Sequence, residues 1–256
     1  MSSWNLHSKS TASPVSDAEW AARVELAAAY RIFAHLGWSE IIYNHLSVRV
    51  PGEPDCMLIN PFGLTYDEVC ASNLVKTNSK ADALNGQWPP NVGGITSHWA
   101  LHDNIADAHC VMHVHTTAGV AVACHPDGLL LNSIHACQLQ NLIAYHDFEG
   151  VTTRPDEGVR IAASIQDKPA LIMRNHGLLT WGDTVARAFT TMWLLNRACE
   201  VQLAALSMGT MLPVSQEVRR RCADVSFHFN KDYGAGQDLF DAMVRKIDKI
   251  DPSYRT

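Results

Sequence analysis

The sequence predicts one α/β domain, and three observations carry that expectation. Segments with helical and with strand-type hydrophobic patterning alternate along the chain, with no block of strands followed by a block of helices. No linker rich in Pro, Gly or Ser and no internal repeat divides it. Of the 256 residues 47% are hydrophobic, enough for a single sizeable core. The domain is expected to span residues 15–256, behind a polar, flexible tail at residues 1–14.

The elements follow in order. Ser16 and Glu19 make the S-x-x-E pattern of a capping box, and Trp20, Val24, Ala28 and Ile32 recur at helical spacing until Gly37, which gives an amphipathic first helix. IIYNHLSVRV and CMLIN, bounded by Pro51-Gly52 and Pro61, read as two strands of a hairpin-like pair. Residues 77–93 predict a loop with a short exposed strand. TSHWALHDNI predicts a short helix, AHCVMHVHT a strand, and HACQLQNLIAYH a mixed, mostly helical segment without a clean period. RPDEGVRIAASIQ predicts a helix and ALIMR a short buried strand. A long helix is expected from Thr184 to Gly209, and DLFDAMVRKIDKI predicts a last amphipathic helix.

Composition narrows the function classes. Charged residues are 18% of the chain and the net charge is −6, so no basic field draws nucleic acid or acidic membranes, and small molecules are the expected partners. No apolar run approaches the ~20 residues of a membrane crossing, and the start, MSSWNLHSKSTASPVSD, lacks the apolar core of a signal peptide, which predicts a cytoplasmic protein. Seven scattered cysteines without a C-x-x-C pair fit reduced, structural thiols.

Chemistry concentrates between Gly93 and Gly119, where five histidines stand: His98, His102, His109, His113 and His115. On an extended strand His109, Val111, His113 and His115 share one face, so two imidazoles about 6 to 7 Å apart at Cα can converge on one ion. Cys110, Met112 and Val114 face the other way as apolar packing. The competing reading is a pair of ordinary sheet histidines. A third nitrogen is available where ALIMR ends in Asn175, His176 and Gly177, a strand end meeting a glycine turn. Three neutral imidazoles would leave coordination positions open, as catalytic metal sites require.

With YNHLSVR, LINPFG, SNLV, the H-x-H of His113 and His115, and RNHGLL in this order, the chain resembles the class II aldolase/adducin family over residues 15–208. The 61 positions from His115 to His176 are also similar to the spacing in the family's bacterial sugar-phosphate aldolases. The resemblance implies a three-layer α/β/α fold around a mostly antiparallel sheet, a homotetramer with active sites at subunit interfaces, and one divalent metal ion per subunit held by His113, His115 and His176. Zn²⁺ is the first expectation for that ion, with Mn²⁺ or Fe²⁺ as alternatives.

The departures are informative. In the aldolases an acidic residue stands 19 positions before the first ligand, and here that place is Gly94. Phosphate-binding serines of the aldolases correspond to Phe62, Val92 and Gly93, which offer backbone N–H groups but no hydroxyl or charge, so a sugar phosphate is not expected. Asn44, Phe62, Gly63, Gly93 and Gly94 are then the expected substrate-binding positions. A tyrosine that neighbouring subunits contribute in the aldolases aligns near His135. The candidates to replace the missing acid are His98, His135 and Tyr145, in that order. For His98 the alternative is a helix histidine bonded to a backbone carbonyl. His102 is expected at the surface, and Glu149, Glu157 and Glu200 as solvated or capping charges.

Three functions compete. The first is a metal-dependent lyase that cleaves or decarboxylates a small non-phosphorylated oxo or hydroxy acid. The second is a non-haem iron oxygenase of aromatic oxo or hydroxy acids, a reading that the absence of a carboxylate ligand weakens. The third is a non-catalytic, adducin-like interaction domain, against which stand the three retained ligands.

Overall fold

The computed structural model describes residues 15–85, 88–152, 154–226 and 234–256, and the tail expected at residues 1–14 lies outside them. Helix α1 (Asp17–Leu36) begins where the capping box sets it: Glu19 N donates to the Ser16 hydroxyl at 3.1 Å, and Gly37 closes the helix at φ 72°. Strands β1 (His45–Val50) and β2 (Glu53–Ile59) form the expected antiparallel hairpin. Residues 41–44 stay outside β1, because Ile41 takes a left-handed φ of 53°. The short strand β3 (Val75–Thr77) precedes the Asn- and Pro-rich loop, and it is buried rather than exposed, since it pairs with β2 and Val75 packs with Ile95 and Trp99.

Helix α2 (Val92–Asn104) starts four residues before the expected helix and takes Gly93 and Gly94 into its first turn. Strand β4 (Cys110–Val114), helix α3 (Thr117–Ala123), helix α4 (Ile134–Gln138) and strand β5 (Ile143–His146) follow, the last two resolving the mixed segment. Helix α5 (Pro155–Ile165), strand β6 (Ala170–Met173) and strand β7 (Gly177–Gly182) lead into the long helix α6 (Val185–Ser207), capped by the Thr184 hydroxyl. Helix α7 (Gln216–Val225), helix α8 (Gln237–Ile250) and a 3₁₀ turn (Pro252–Arg255) end the chain. Helix α3, strand β7 and helix α7 carry weak sequence signals: the first two are short and the third buries no residue.

The strands form one sheet in the order β3-β2-β1-β4-β7-β6-β5, antiparallel except for the parallel pair β5 and β6. Side-chain alternation splits the core between its two faces. Cys110, Met112 and Val114 join Leu46, Val48 and Ile172 under a layer built from α1, α6 and α8, with Leu26, Phe33, Phe189 and Phe240 among its members. Val111, Leu171 and Leu179 face the other way, onto Leu101 of α2 and Ile161 of α5. The architecture is therefore α/β/α in three layers around a mostly antiparallel sheet, as expected.

One hydroxyl ties α1 to the strands that carry the site. Tyr30 is fully buried; its oxygen accepts from Leu46 N at 2.8 Å and Asn60 N at 3.1 Å, and its proton is shared between Leu46 O at 2.5 Å and Asn60 Oδ1 at 3.0 Å. Tyr30→Phe leaves these buried backbone groups unpaired, so urea denaturation should show a loss of roughly 2–4 kcal/mol; a change below 0.5 kcal/mol would mean that water or a shifted backbone replaces the hydroxyl.

Candidate metal centre

Strand β4 lies between β1 and β7, and the two registers set His45 and Leu179 opposite His113. His113 sits near the end of β4, His115 just beyond it, and His176 in the tight turn between β6 and β7. One ring nitrogen from each of the three lies within 4.8 Å of the others. The turn reaches this position through two backbone features. Asn175 adopts a left-handed φ of 56°, which asparagine tolerates. A Cβ on Gly177 would stand 2.6 Å from Val114 O and 2.8 Å from His115 Cδ2, so only glycine lets the turn lie against the end of β4.

The three rings are prepared as ligands. The Nδ1–H of His113 donates to Leu178 O at 3.0 Å, which leaves Nε2 for the cleft, 2.7 Å from His115 Nε2. Two imidazole nitrogens at that distance need a proton or a cation between them. Burial drives the His113 ring well below its ordinary pKa, with repulsion from His45, His115 and His176 adding to it. Burial also lowers His115, against the attraction of Glu40, and brings His176 down to about 4, with His115 and His146 contributing. Neutral imidazoles at neutral pH are the form that binds a divalent ion, so the residues fit such an ion.

The triad opens on a cleft of about 280 Å³ that Glu40, Tyr43, His45, Gly93, Ser97 and Thr152 also line. A larger cleft of about 700 Å³ adjoins it through Glu40 and His115. Glu40 is the one charged side chain on the smaller cleft among the described residues, and no lysine or arginine lines either cleft.

Behind the triad runs a buried chain of polar contacts. His45 stacks on His113 with ring centroids 4.9 Å apart, and its Nδ1 lies 2.8 Å from His98 Nε2. His98 Nδ1 lies 2.6 Å from Ser47 Oγ, Ser47 Oγ 2.8 Å from His102 Nε2, and His102 Nδ1 2.7 Å from Ala108 O. Burial depresses all three rings, His45 and His98 well below the ordinary value and His102 to about 3. His102 is therefore no surface residue: it is 2% exposed, because the i, i+4 face it shares with His98 points onto the sheet. His98, fully buried, bonds to two side chains and not to a carbonyl.

Several expected site residues stand elsewhere. His135 lines a separate cavity of about 270 Å³ beside Trp193, with its Nδ1 buried and without a hydrogen-bond partner among the described residues. The Tyr145 hydroxyl accepts from Leu129 N at 3.0 Å and its ring lies under Arg174, so it braces the loop after α3 and stays out of the triad cleft. Asn44 lines the larger cleft, where its buried amide donates to Trp38 O at 2.7 Å and accepts from His115 N at 3.1 Å, anchoring a ligand histidine. Phe62 already spends its N–H on Pro89 O, and Gly63, at φ 101°, stands outside the triad cleft. Gly93 lines the cleft and Gly94 lies beneath His45. Glu149 is held by Arg154 and Arg160, and Glu200 by Asn196 and Arg197. Glu157, expected at a helix surface, is buried and accepts from Thr152 Oγ1 at 2.9 Å. His45, Ser47 and Glu40 are the site residues that sequence reading missed. The alternation in HLSVR puts His45 and Ser47 on one face, but only the pairing with β4 brings that face beneath His113.

A metal-ready cleft of this kind on a three-layer sheet defines a class II aldolase-type protein. The sequence profile of the Class II Aldolase and Adducin N-terminal domain matches residues 24–203, and the chain belongs to that family. A Pseudomonas aeruginosa protein provisionally named a class 2 aldolase is 40% identical over 94% of both chains. Rat (Rattus norvegicus) alpha-adducin is 42% identical over 91% of this chain, which corresponds to 34% of adducin's own length. Among solved structures, an aldolase II superfamily protein from Pseudomonas syringae superposes with a TM-score of 0.89 at 36% identity, covering 94% of this chain and 98% of that one. An L-fuculose 1-phosphate aldolase from Glaciozyma antarctica does so with a TM-score of 0.83 at 26% identity, covering 96% and 98%.

Two outcomes follow from this geometry. Each buried ring favours its neutral form in the folded state and titrates near 6.5 when unfolded, so stability is complete above about pH 6.5 and falls as the pH drops below it. Denaturant titrations should show stability falling from pH 6.5 to 5, with about 2 kcal/mol of the loss from His102, whose ring is brought down to about 3, and a flat profile from pH 7 to 5 would refute the neutral assignment. A Cβ on Gly94 would stand 2.8 Å from His45 Cγ and 2.9 Å from Ile59 Cδ1. Gly94→Ala should therefore destabilise by about 1–2 kcal/mol, and adding His45→Ala should recover part of the loss; strictly additive effects would show that the two positions do not compete for space.

Proposed function

We propose that the protein is a divalent-metal-dependent lyase that breaks a carbon–carbon bond, by retro-aldol cleavage or decarboxylation, in a small non-phosphorylated oxo or hydroxy acid. The carrying observation is the convergence of one nitrogen each from His113, His115 and His176 within 4.8 Å at the cleft. Zn²⁺ is the first choice for such a nitrogen set, with Mn²⁺ or Fe²⁺ as alternatives. A bound dication supplies a Lewis acid that stabilises negative charge developing on a substrate oxygen. Leu178 O and Asn44 hold His113 and His115 in place, and the exclusion of lysine and arginine from both clefts disfavours a phosphate dianion. Decarboxylation suits a cleft without an acid at position 94, since loss of carbon dioxide forms the enolate without removal of a hydroxyl proton. We assign the protein to a single domain over residues 15–256, a cytoplasmic setting and a homotetramer; His135 and Tyr145, remote from the triad of their own chain, would reach a triad only in a neighbouring subunit.

The likeness to alpha-adducin supports a second reading, a non-catalytic interaction domain that keeps the fold. Metal analysis separates the readings. Protein purified without added metal should carry close to one ion per chain, and His113→Ala should lower that content at least tenfold while leaving the secondary structure intact. Iron with oxygen uptake on aromatic oxo or hydroxy acids would replace the lyase by an oxygenase. A metal-free protein that turns over no oxo or hydroxy acid would leave the interaction domain.

A further inference from the structure

The hydrogen-bond chain behind the triad has a direction that one backbone atom imposes. A carbonyl oxygen only accepts, so the His102 nitrogen 2.7 Å from Ala108 O, Nδ1, carries the proton. The ring is neutral in its buried site, so His102 Nε2 is bare and takes the proton of Ser47 Oγ at 2.8 Å. With its single proton committed, the serine oxygen accepts from His98 Nδ1–H at 2.6 Å. His98 Nε2 is then bare and accepts from His45 Nδ1–H at 2.8 Å. The last link falls on His45 Nε2, a bare lone pair on a ring that lines the triad cleft and makes no hydrogen bond through that atom to any described residue.

We infer that His45 is a substrate-contacting residue, a hydrogen-bond acceptor of fixed tautomer that selects ligands presenting a hydroxyl donor beside the triad, such as a 2-hydroxy acid. The space it uses is the space that a side chain at position 94 would fill, since a Cβ there would stand 2.8 Å from His45 Cγ. The glycine thus removes the expected acid and admits the ring in one change. An acceptor with no protein donor satisfies itself with water or with a ligand hydroxyl, and it gives a keto or ether oxygen nothing to bond. His98, Ser47 and His102 are positioning residues: they touch no ligand and act by holding the proton on His45 Nδ1. The choice of ligand rests on the metal reading above, but the direction of the chain does not.

The test uses the full-length protein labelled with ¹⁵N, with and without one equivalent of Zn²⁺, at pH 7.5. Long-range ¹H–¹⁵N correlation spectra should show His45, His98 and His102 each protonated at Nδ1 and bare at Nε2; a protonated Nε2 on His45 would overturn the proposal without any variant having to fold. Ser47→Ala should leave His102 unchanged, because Ala108 O still orders it, and let His45 and His98 mix tautomers. In calorimetric titrations of the zinc-loaded protein, glycolate should bind about threefold to tenfold tighter than methoxyacetate, in line with one hydrogen bond. That preference should shrink in Ser47→Ala and vanish in His45→Ala. Equal binding of the two probes by the unaltered zinc-loaded protein would overturn the selection of a hydroxyl. Failure to take up zinc would instead sink the metal reading, and the tautomer pattern would still decide whether His45 is held as an acceptor.

Discussion

The pairing of β4 with its two neighbours is the constraint on which the rest of the site depends. Both partners of β4 reach the site: β1 supplies His45, and β7 follows directly from the turn that carries His176. A slip of one residue in either ladder would turn His113 toward the apolar layer of α1 and α6. The register is secured by burial on both faces, with Cys110, Met112 and Val114 sealed on one side and Val111 on the other. The site is therefore a by-product of sheet order, and loops finish it: Asn44 pins His115, and the turn at Asn175 and Gly177 folds the third ring inward.

Much of this was legible in the sequence because the signals were local. The S-x-x-E box and Gly37 gave both ends of α1, Thr184 gave the start of α6, and the H-x-H alternation gave two rings on one face. What the sequence withheld was long-range. His102 reads as a surface residue because a polar side chain on a short helix is normally solvated; its burial follows from Ser47, 55 residues away, arriving beneath it. Glu157 reads as a helix-surface charge and is buried because α5 packs against α2, with the nearby Thr152 hydroxyl donating to its carboxylate. His45 hid in an ordinary strand motif, and nothing local says that its ring would meet the space above Gly94. Tyr145 lies outside the cleft of its own chain because its hydroxyl, which accepts from Leu129 N, braces the loop after α3.

Desolvation sets the electrical character of the centre. Four of the rings at or behind the cleft, His45, His98, His102 and His113, are 4% exposed or less, and burial is the largest influence on each of them. A cluster of imidazoles so tightly packed would be untenable if charged, since each added proton would repel the others in a low-dielectric interior. The arrangement instead behaves as a neutral, polar wall whose dipoles are ordered by two carbonyls, Ala108 O at His102 and Leu178 O at His113. Among the described residues the one formal charge facing the cleft, Glu40, sits at its junction with the larger cleft, where solvent reaches it.

The close approach of His45 to Gly94 couples the two positions. Two positions 49 residues apart in the chain share one volume, so neither can change freely unless the other changes with it. Filling position 94 alone overfills the shared volume and trimming position 45 alone leaves it hollow, so a viable exchange at either place requires a matching one at the other.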